Sequence, residues 1–151
     1  MKRLIAGVVF LALTPALVAQ APEAARAPNP RAQGYTLFGI ASPVGDAGNV
    51  MTLGGGGEAF VYKGLAVGGD MNYLFTGGRF TYGLGLASAN PSYHFRGLDP
   101  DGQWVPFVTG GYTLAIRDGT ANMGNYGGGV TYWVRPHWGA RVEVRALQYA
   151  S

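Results

Sequence analysis

From Gly139 to Ala146 the chain alternates without a fault: Gly139, Arg141, Glu143 and Arg145 interleave with Ala140, Val142, Val144 and Ala146. A period of two puts all the charge on one face of an extended strand and all the apolar surface on the other. A helix would mix the two sets. The pattern recurs upstream, where Leu65, Val67, Gly69, Met71, Tyr73 and Phe75 interleave with Ala66, Gly68, Asp70, Asn72 and Leu74. It recurs again where Gly128, Val130, Tyr132 and Val134 interleave with Asn125, Gly127, Gly129 and Thr131. Glycine fills 26 of the 151 positions, more than twice the ~7% of an average protein. Each glycine inside a helix costs about 1 kcal/mol relative to alanine, so a helical bundle is excluded.

After Gly34 no sustained helical stripe occurs, and aromatic and β-branched runs alternate with turn-forming clusters. The pattern predicts seven strands at 34–42, 53–63, 65–75, 80–96, 104–117, 122–134 and 138–148. Between them lie the cluster at 44–49, Thr76-Gly77-Gly78, the run Asp99 to Gly102, Arg117-Asp118-Gly119 and Arg135-Pro136-His137. Short, regular connections imply an all-β, up-and-down antiparallel sheet, because parallel strands need long crossovers.

The amino terminus has a different character. Lys2 and Arg3 precede an apolar stretch from Leu4 to Leu13, then Thr14-Pro15, then small residues around Ala19 and Ala21. This is the layout of a secretory signal peptide, expected over residues 1–19, with the mature chain beginning near Gln20. The apolar run is shorter than the ~20 residues of a spanning helix. Residues 20–33, rich in Ala and Pro, read as a linker, and 34–151 as one β domain.

Charge removes some functions. The net +3 sits entirely in the first 33 residues, and from Gly34 onward seven basic residues balance seven acidic ones. With no basic stripe in the domain, nucleic acid is not an expected partner. Cysteine is absent, which removes thiol chemistry, Cys-based zinc sites and disulfides.

Three features favour lipid over water outside the sheet. Tyr35, Tyr73, Phe75, Trp104, Tyr112, Tyr132 and Trp138 fall near strand ends, where an aromatic girdle would lie. Several strands have the ~9–11 residues of an oblique bilayer crossing. The charged faces suit a polar interior, and lipid requires such strands to close into a barrel.

The run Trp104–Arg117 (WVPFVTGGYTLAIR), with Asn125–Trp133 (NYGGGVTYW) and Gly139–Arg145 (GARVEVR), resembles the outer-membrane β-barrel domain family of small OmpA-type and OmpX-type barrels. The resemblance spans roughly residues 34–148, and Ala140 stands where the family pattern has a larger apolar residue. It implies a bacterial outer-membrane location, an eight-stranded transmembrane barrel, contact with outer-membrane lipid and the barrel-assembly machinery, and no catalytic residues or cofactor.

Other motifs have plainer readings. Gly54–Gly57 and the run from Gly83 to Ser88 lack the following helix that a phosphate loop needs. The run Asp99 to Gly102 lacks the remaining ligands of a calcium loop. His94 and His137 have no metal-spaced companion. Ser92, His94 and Glu143 could in principle converge as a lipid-modifying hydrolase site, but no spacing demands it. A soluble secreted barrel holding an apolar ligand is the other alternative, and it would invert the inside and outside of the strands.

The preferred reading is a structural or interaction-type barrel, neither an enzyme nor a wide pore. Its lumen is expected to be filled by a charge network of Glu58, Asp70, Arg117, Arg141, Glu143 and Arg145. Seven strands are one short of the even number such barrels have. The closing strand is therefore expected to be missing, and adding an eighth alternating strand to restore the barrel.

Overall fold

The computed structural model describes residues 5–15, 31–42, 50–76, 79–135 and 138–149; the side chains of 5–15, 42 and 79–82 lie outside that description. The described residues form an all-β, antiparallel, up-and-down sheet. Its strands are β1 (Ile5–Pro15), β2 (Ala32–Ser42), β3 (Val50–Tyr62), β4 (Leu65–Thr76), β5 (Arg79–His94), β6 (Trp104–Ile116), β7 (Thr120–Arg135) and β8 (Trp138–Tyr149). Each strand pairs with the next, and β1 also pairs with β8, so the sheet curls into a closed barrel.

Strands β2 to β8 correspond one for one to the seven read from the sequence, with ends displaced by a few residues. The turn at Lys63-Gly64 joins β3 to β4 with positive φ at both residues, 27° and 96°. That combination matches the right-handed twist of a tight hairpin. A side chain at Gly64 would also meet the carbonyl oxygen of His94 at 2.4 Å. β5 continues through Asn90-Pro91 without breaking, although the pairing with β6 skips from Ala89↔Tyr112 to Ser92↔Thr109. Proline has no N–H to give that ladder, and its carbonyl accepts a side-chain bond from the Thr109 hydroxyl at 3.2 Å.

The closing position differs from expectation. It is held by Ile5–Pro15, residues read from the sequence as an export leader. β1 pairs with β8 without interruption from Ile5↔Gln148 to Pro15↔Trp138, and with β2 from Gly7↔Ser42 to Leu13↔Thr36. The physical reason is the demand of two open edges: unpaired backbone donors and acceptors on β2 and β8 take an available extended apolar segment. The expected linker lies mostly outside the described residues, and Ala32 and Gln33 at its end already belong to β2.

Alternation divides the strands into two faces. Inward positions carry Gln33, Glu58, Asp70, Asn90, Ser92, His94, Asn125, Arg141, Glu143 and Arg145, all buried. Outward positions carry exposed Phe38, Ile40, Leu53, Val67, Met71, Tyr93, Val108, Tyr126, Val142 and Val144. One end of the lumen is apolar, packed by Leu37, Ala41, Leu86, Ala115, Met123 and Leu147. Of the expected aromatic girdle, Tyr73, Trp104, Tyr112 and Trp138 are exposed. Trp104 rests against Tyr132 with ring centroids 4.5 Å apart. Tyr35 departs from it: two residues from Leu37 on the same face, it points inward and is buried. Phe75 is buried as well, stacked on Tyr73.

Candidate functional site

The middle of the lumen is occupied by charge. Arg141, Glu143 and Arg145 project inward from successive inward positions of β8, each at most 3% exposed. Glu143 is held between two forks. Its Oε2 accepts from Arg141 Nε and Nη2 at 3.1 and 2.9 Å, and its Oε1 accepts from Arg145 Nε at 2.8 Å, with Arg145 Nη2 at 2.6 Å. Paired guanidinium bonds to one carboxylate are the strong form of this interaction.

Each arginine then reaches across the barrel. Arg141 Nη1 donates to Glu58 Oε1 on β3 at 2.7 Å. Arg145 Nη1 donates to Asp70 on β4, at 2.9 Å to Oδ2 and 3.1 Å to Oδ1. Two arginines therefore serve three carboxylates. Asp70 also accepts from Asn72 Nδ2 at 2.6 Å and Asn90 Nδ2 at 2.9 Å. Asn125 continues the network by donating to Asn90 Oδ1 at 2.7 Å and Thr113 Oγ1 at 2.8 Å. Buried charge is tolerable only when paired and hydrogen-bonded, and here both conditions hold.

Glycines make this packing possible. In register, Gly129 lies opposite Glu143 and Gly127 opposite Arg145 on β7, while Gly56 lies opposite Asp70 and Gly68 opposite Glu58. A Cβ at Gly129 would stand 2.0 Å from the Val142 carbonyl oxygen. The sequence signal was the glycine clusters themselves; their pairing with particular bulky residues needed the register.

Of the six residues expected to form the network, five meet: Glu58, Asp70, Arg141, Glu143 and Arg145. Arg117 does not. It follows β6 at the barrel's end, 54% exposed at its side chain and 3.8 Å from the fully exposed Asp118. Its position just past Ile116 puts it beyond the last inward residue of the strand. The residues that sequence reasoning left out are the neutral partners Gln33, Asn72, Asn90 and Asn125, and the aromatic Phe107. Arg141 stacks over the Phe107 ring at 3.8 Å and the Tyr35 ring at 4.8 Å.

The suggested Ser92, His94 and Glu143 grouping does not assemble. The carboxylate beside Ser92 and His94 belongs to Glu58, which accepts from Ser92 Oγ at 2.5 Å and sits 3.1 Å from His94 Nε2. Ser92 Oγ lies 3.2 Å from that same His94 nitrogen. A relay needs the acid on one ring nitrogen and the nucleophile on the other. Here both crowd Nε2, and the serine proton is directed to the carboxylate. His94 is enclosed by Phe60 at 4.9 Å and Phe107 at 5.3 Å. The cavity at this end, lined by Gln33, His94, Arg96, Thr131 and Trp133 among others, measures about 10 Å³, room for one water. Arg96 half-closes it, its guanidinium 3.9 Å over the Phe60 ring; burial draws its pKa down and Glu58 opposes that. His137 lies outside the described residues. The run Asp99 to Gly102 is a turn, in which Gly102 N donates to the Asp99 carbonyl at 3.0 Å. The Asp99 carboxylate accepts from the backbone of Gln103 and Trp104 at 2.8 and 3.0 Å.

No family model, curated protein or solved structure matches this chain.

Proposed function

We propose that this is an exported, structural or interaction-type outer-membrane β-barrel protein of the eight-strand transmembrane kind, with a plugged polar lumen and no catalytic activity. The observation that carries the reading is the inversion of its two faces. A water-soluble barrel keeps apolar side chains inside; here the buried interior holds Glu58, Asp70, Arg141, Glu143 and Arg145, while Met71 and Val144 stand 71% and 55% exposed outside. An outward apolar band around a polar inside is the arrangement that a lipid surround stabilises. The sequence resemblance to small OmpA-type and OmpX-type barrels supports the same reading, as does the leader-like amino terminus.

Two alternatives fit less well. A soluble barrel for an apolar ligand would need an apolar cavity, and the middle of this lumen is filled with ion pairs. A lipid hydrolase would need its nucleophile within reach of lipid, whereas Ser92 is 4% exposed and faces inward. The test is cell fractionation with electrophoresis. Recovery with the outer membrane, together with a band that shifts on boiling, is expected. A soluble periplasmic monomer obtained without detergent would overturn the proposal.

A further inference from the structure

On the outer wall, β5 runs as a low strand between two high ones. Its outward positions Gly85, Ala87 and Ala89 are small, whereas β4 presents Met71 and Tyr73 beside them and β6 presents Tyr112, Leu114 and Ile116. The ladder sets these in rows: Tyr73, Gly85 and Ile116 stand side by side, and so do Met71, Ala87 and Leu114. The step in side-chain height leaves a groove of about 270 Å³, lined by Leu53, Met71, Tyr73, Gly85, Ala87 and Ile116 among others. Its Tyr73 wall is pinned, because the phenol oxygen accepts a bond from Gly83 N at 3.1 Å and the ring stacks on Phe75.

Width and polarity select what can lie there. The two walls are two strand spacings apart, about 10 Å between backbones, and their side chains narrow the gap further. A helix with its side chains is about 10–12 Å across and would rest on the rims instead of entering. An extended peptide is narrow enough, but the backbone of Gly85 to Ala89 is already paired with β4 and β6. The N–H and C=O groups of such a peptide would be left unpaired against apolar walls. A hydrocarbon chain has neither fault. The end of the groove adds a charge: Ile116, part of the wall, is followed by Arg117, half-exposed and 3.8 Å from the fully exposed Asp118. So loose and wet a pair is worth little, and leaves the guanidinium able to take a better anion.

We propose that this groove holds one acyl chain of an anionic membrane phospholipid, with Arg117 receiving the lipid's phosphate at the groove's end. The proposal rests on the outer-membrane reading above, under which the outer wall meets lipid tails and the strand ends meet headgroups. Apolar contact along Gly85, Ala87 and their flanking walls supplies the hold. Guanidinium bonds to phosphate oxygens supply the preference for an anionic headgroup. Arg117, which the end of β6 keeps out of the lumen network, thereby acquires a partner outside it.

The test counts lipids on the folded full chain. The protein is folded in detergent micelles, given dimyristoyl phosphatidylglycerol or dimyristoyl phosphatidylcholine, and weighed by native mass spectrometry. One phosphatidylglycerol per barrel is expected, retained several-fold more than phosphatidylcholine. Ala87→Trp fills the floor and Met71→Ala lowers a wall, so each should cut retention of both lipids several-fold. Ala146→Trp, outward on β8 three strands away, should leave it unchanged. Arg117→Gln should retain the two lipids equally. The band that shifts on boiling verifies that each variant is folded, and Met71→Ala, an exposed truncation, carries the test if Ala87→Trp does not fold. Retention by the groove variants equal to that by wild type and Ala146→Trp would overturn the proposal, as would a lipid preference that survives Arg117→Gln. A lipid-free dimer would assign the groove to a second copy and overturn it too. A chain recovered soluble without detergent defeats the membrane reading, whereas a membrane-recovered barrel that retains no lipid defeats the groove site alone.

Discussion

Arg141 Nη1 and Glu58 Oε1 lie 2.7 Å apart across the lumen, although 83 residues separate them in the chain. This bond ties β8 to β3, which are not neighbours in the sheet. It makes the interior a brace between distant walls, and the ion pairs around it are both cross-wall and within one strand.

Glu143→Ala is expected to destabilise the folded protein by about 3–5 kcal/mol, the usual cost of removing one partner of a buried ion pair. Glu143 is fully buried and serves both Arg141 and Arg145. Glu143→Gln keeps an acceptor oxygen and should cost less. Urea unfolding in detergent, followed by loss of the heat-shifted band, gives the comparison. Equal midpoints for wild type and the alanine variant would show that the residue faces water.

Gly129→Ala should destabilise through overpacking by about 1–3 kcal/mol, because its Cβ would be forced to within 2.0 Å of the Val142 carbonyl. Gly110→Ala is the control. Its nearest neighbour, the Asn125 carbonyl oxygen, is 3.5 Å away, an ordinary contact, so the variant should fold as wild type does. If both variants behaved alike, the inward glycines would not be making room.

Met71→Arg tests what surrounds the barrel. In a lipid band an outward arginine costs about 2–4 kcal/mol near the midplane, so folding into lipid vesicles should fall sharply. A water-facing Met71 would accept the change with little effect, or with a gain in solubility. The yield of folded protein in vesicles decides between them.

Ser92→Ala removes one of the donors to Glu58 and leaves Gln33, His94 and Arg141 in place. Envelope lipid composition in cells carrying this variant should match that of wild type, with a modest loss of stability. A serine-dependent change in lipid acylation would revive the hydrolase reading, which the inward, buried position of Ser92 opposes.

The strands were legible because alternation over 138–148 and 65–75 has only one extended interpretation. Asp70, Arg141, Glu143 and Arg145 lie in those two strands, where the phase marks their side of the sheet; Glu58, in the glycine-rich strand upstream, was legible only as a charge of the complementary sign. Arg117 stays out of the network because the strand read over 104–117 ends at Ile116, one residue before it. Tyr35 leaves the girdle because its phase with Leu37, rather than its place near a strand end, decides which way it points. The neutral partners Asn72, Asn90 and Asn125 carry no signal of their own. Their roles depend on which strand faces which, and cross-strand register is not written in any single segment. The segment 5–15 reads as a leader from its composition, and its pairing with β2 and β8 comes only from the geometry of two open edges.

The matching of lumen glycines to bulky charged residues also bears on how the chain finds its pairing. Between β7 and β8, Gly127 faces Arg145 and Gly129 faces Glu143. A slip of one residue would turn the arginines outward. A slip of two keeps the faces, but one direction sets Arg141 against Trp133 and Glu143 against Thr131, and the other sets Arg145 against Asn125. The hairpin thus works as a steric key: only the native alignment gives both Glu143 and Arg145 a vacant slot on the neighbouring strand while keeping Arg141 clear of Trp133. A misaligned β7–β8 hairpin would carry bulky pairs that the closed lumen has no room for, so the filled interior helps select the register of the sheet that encloses it.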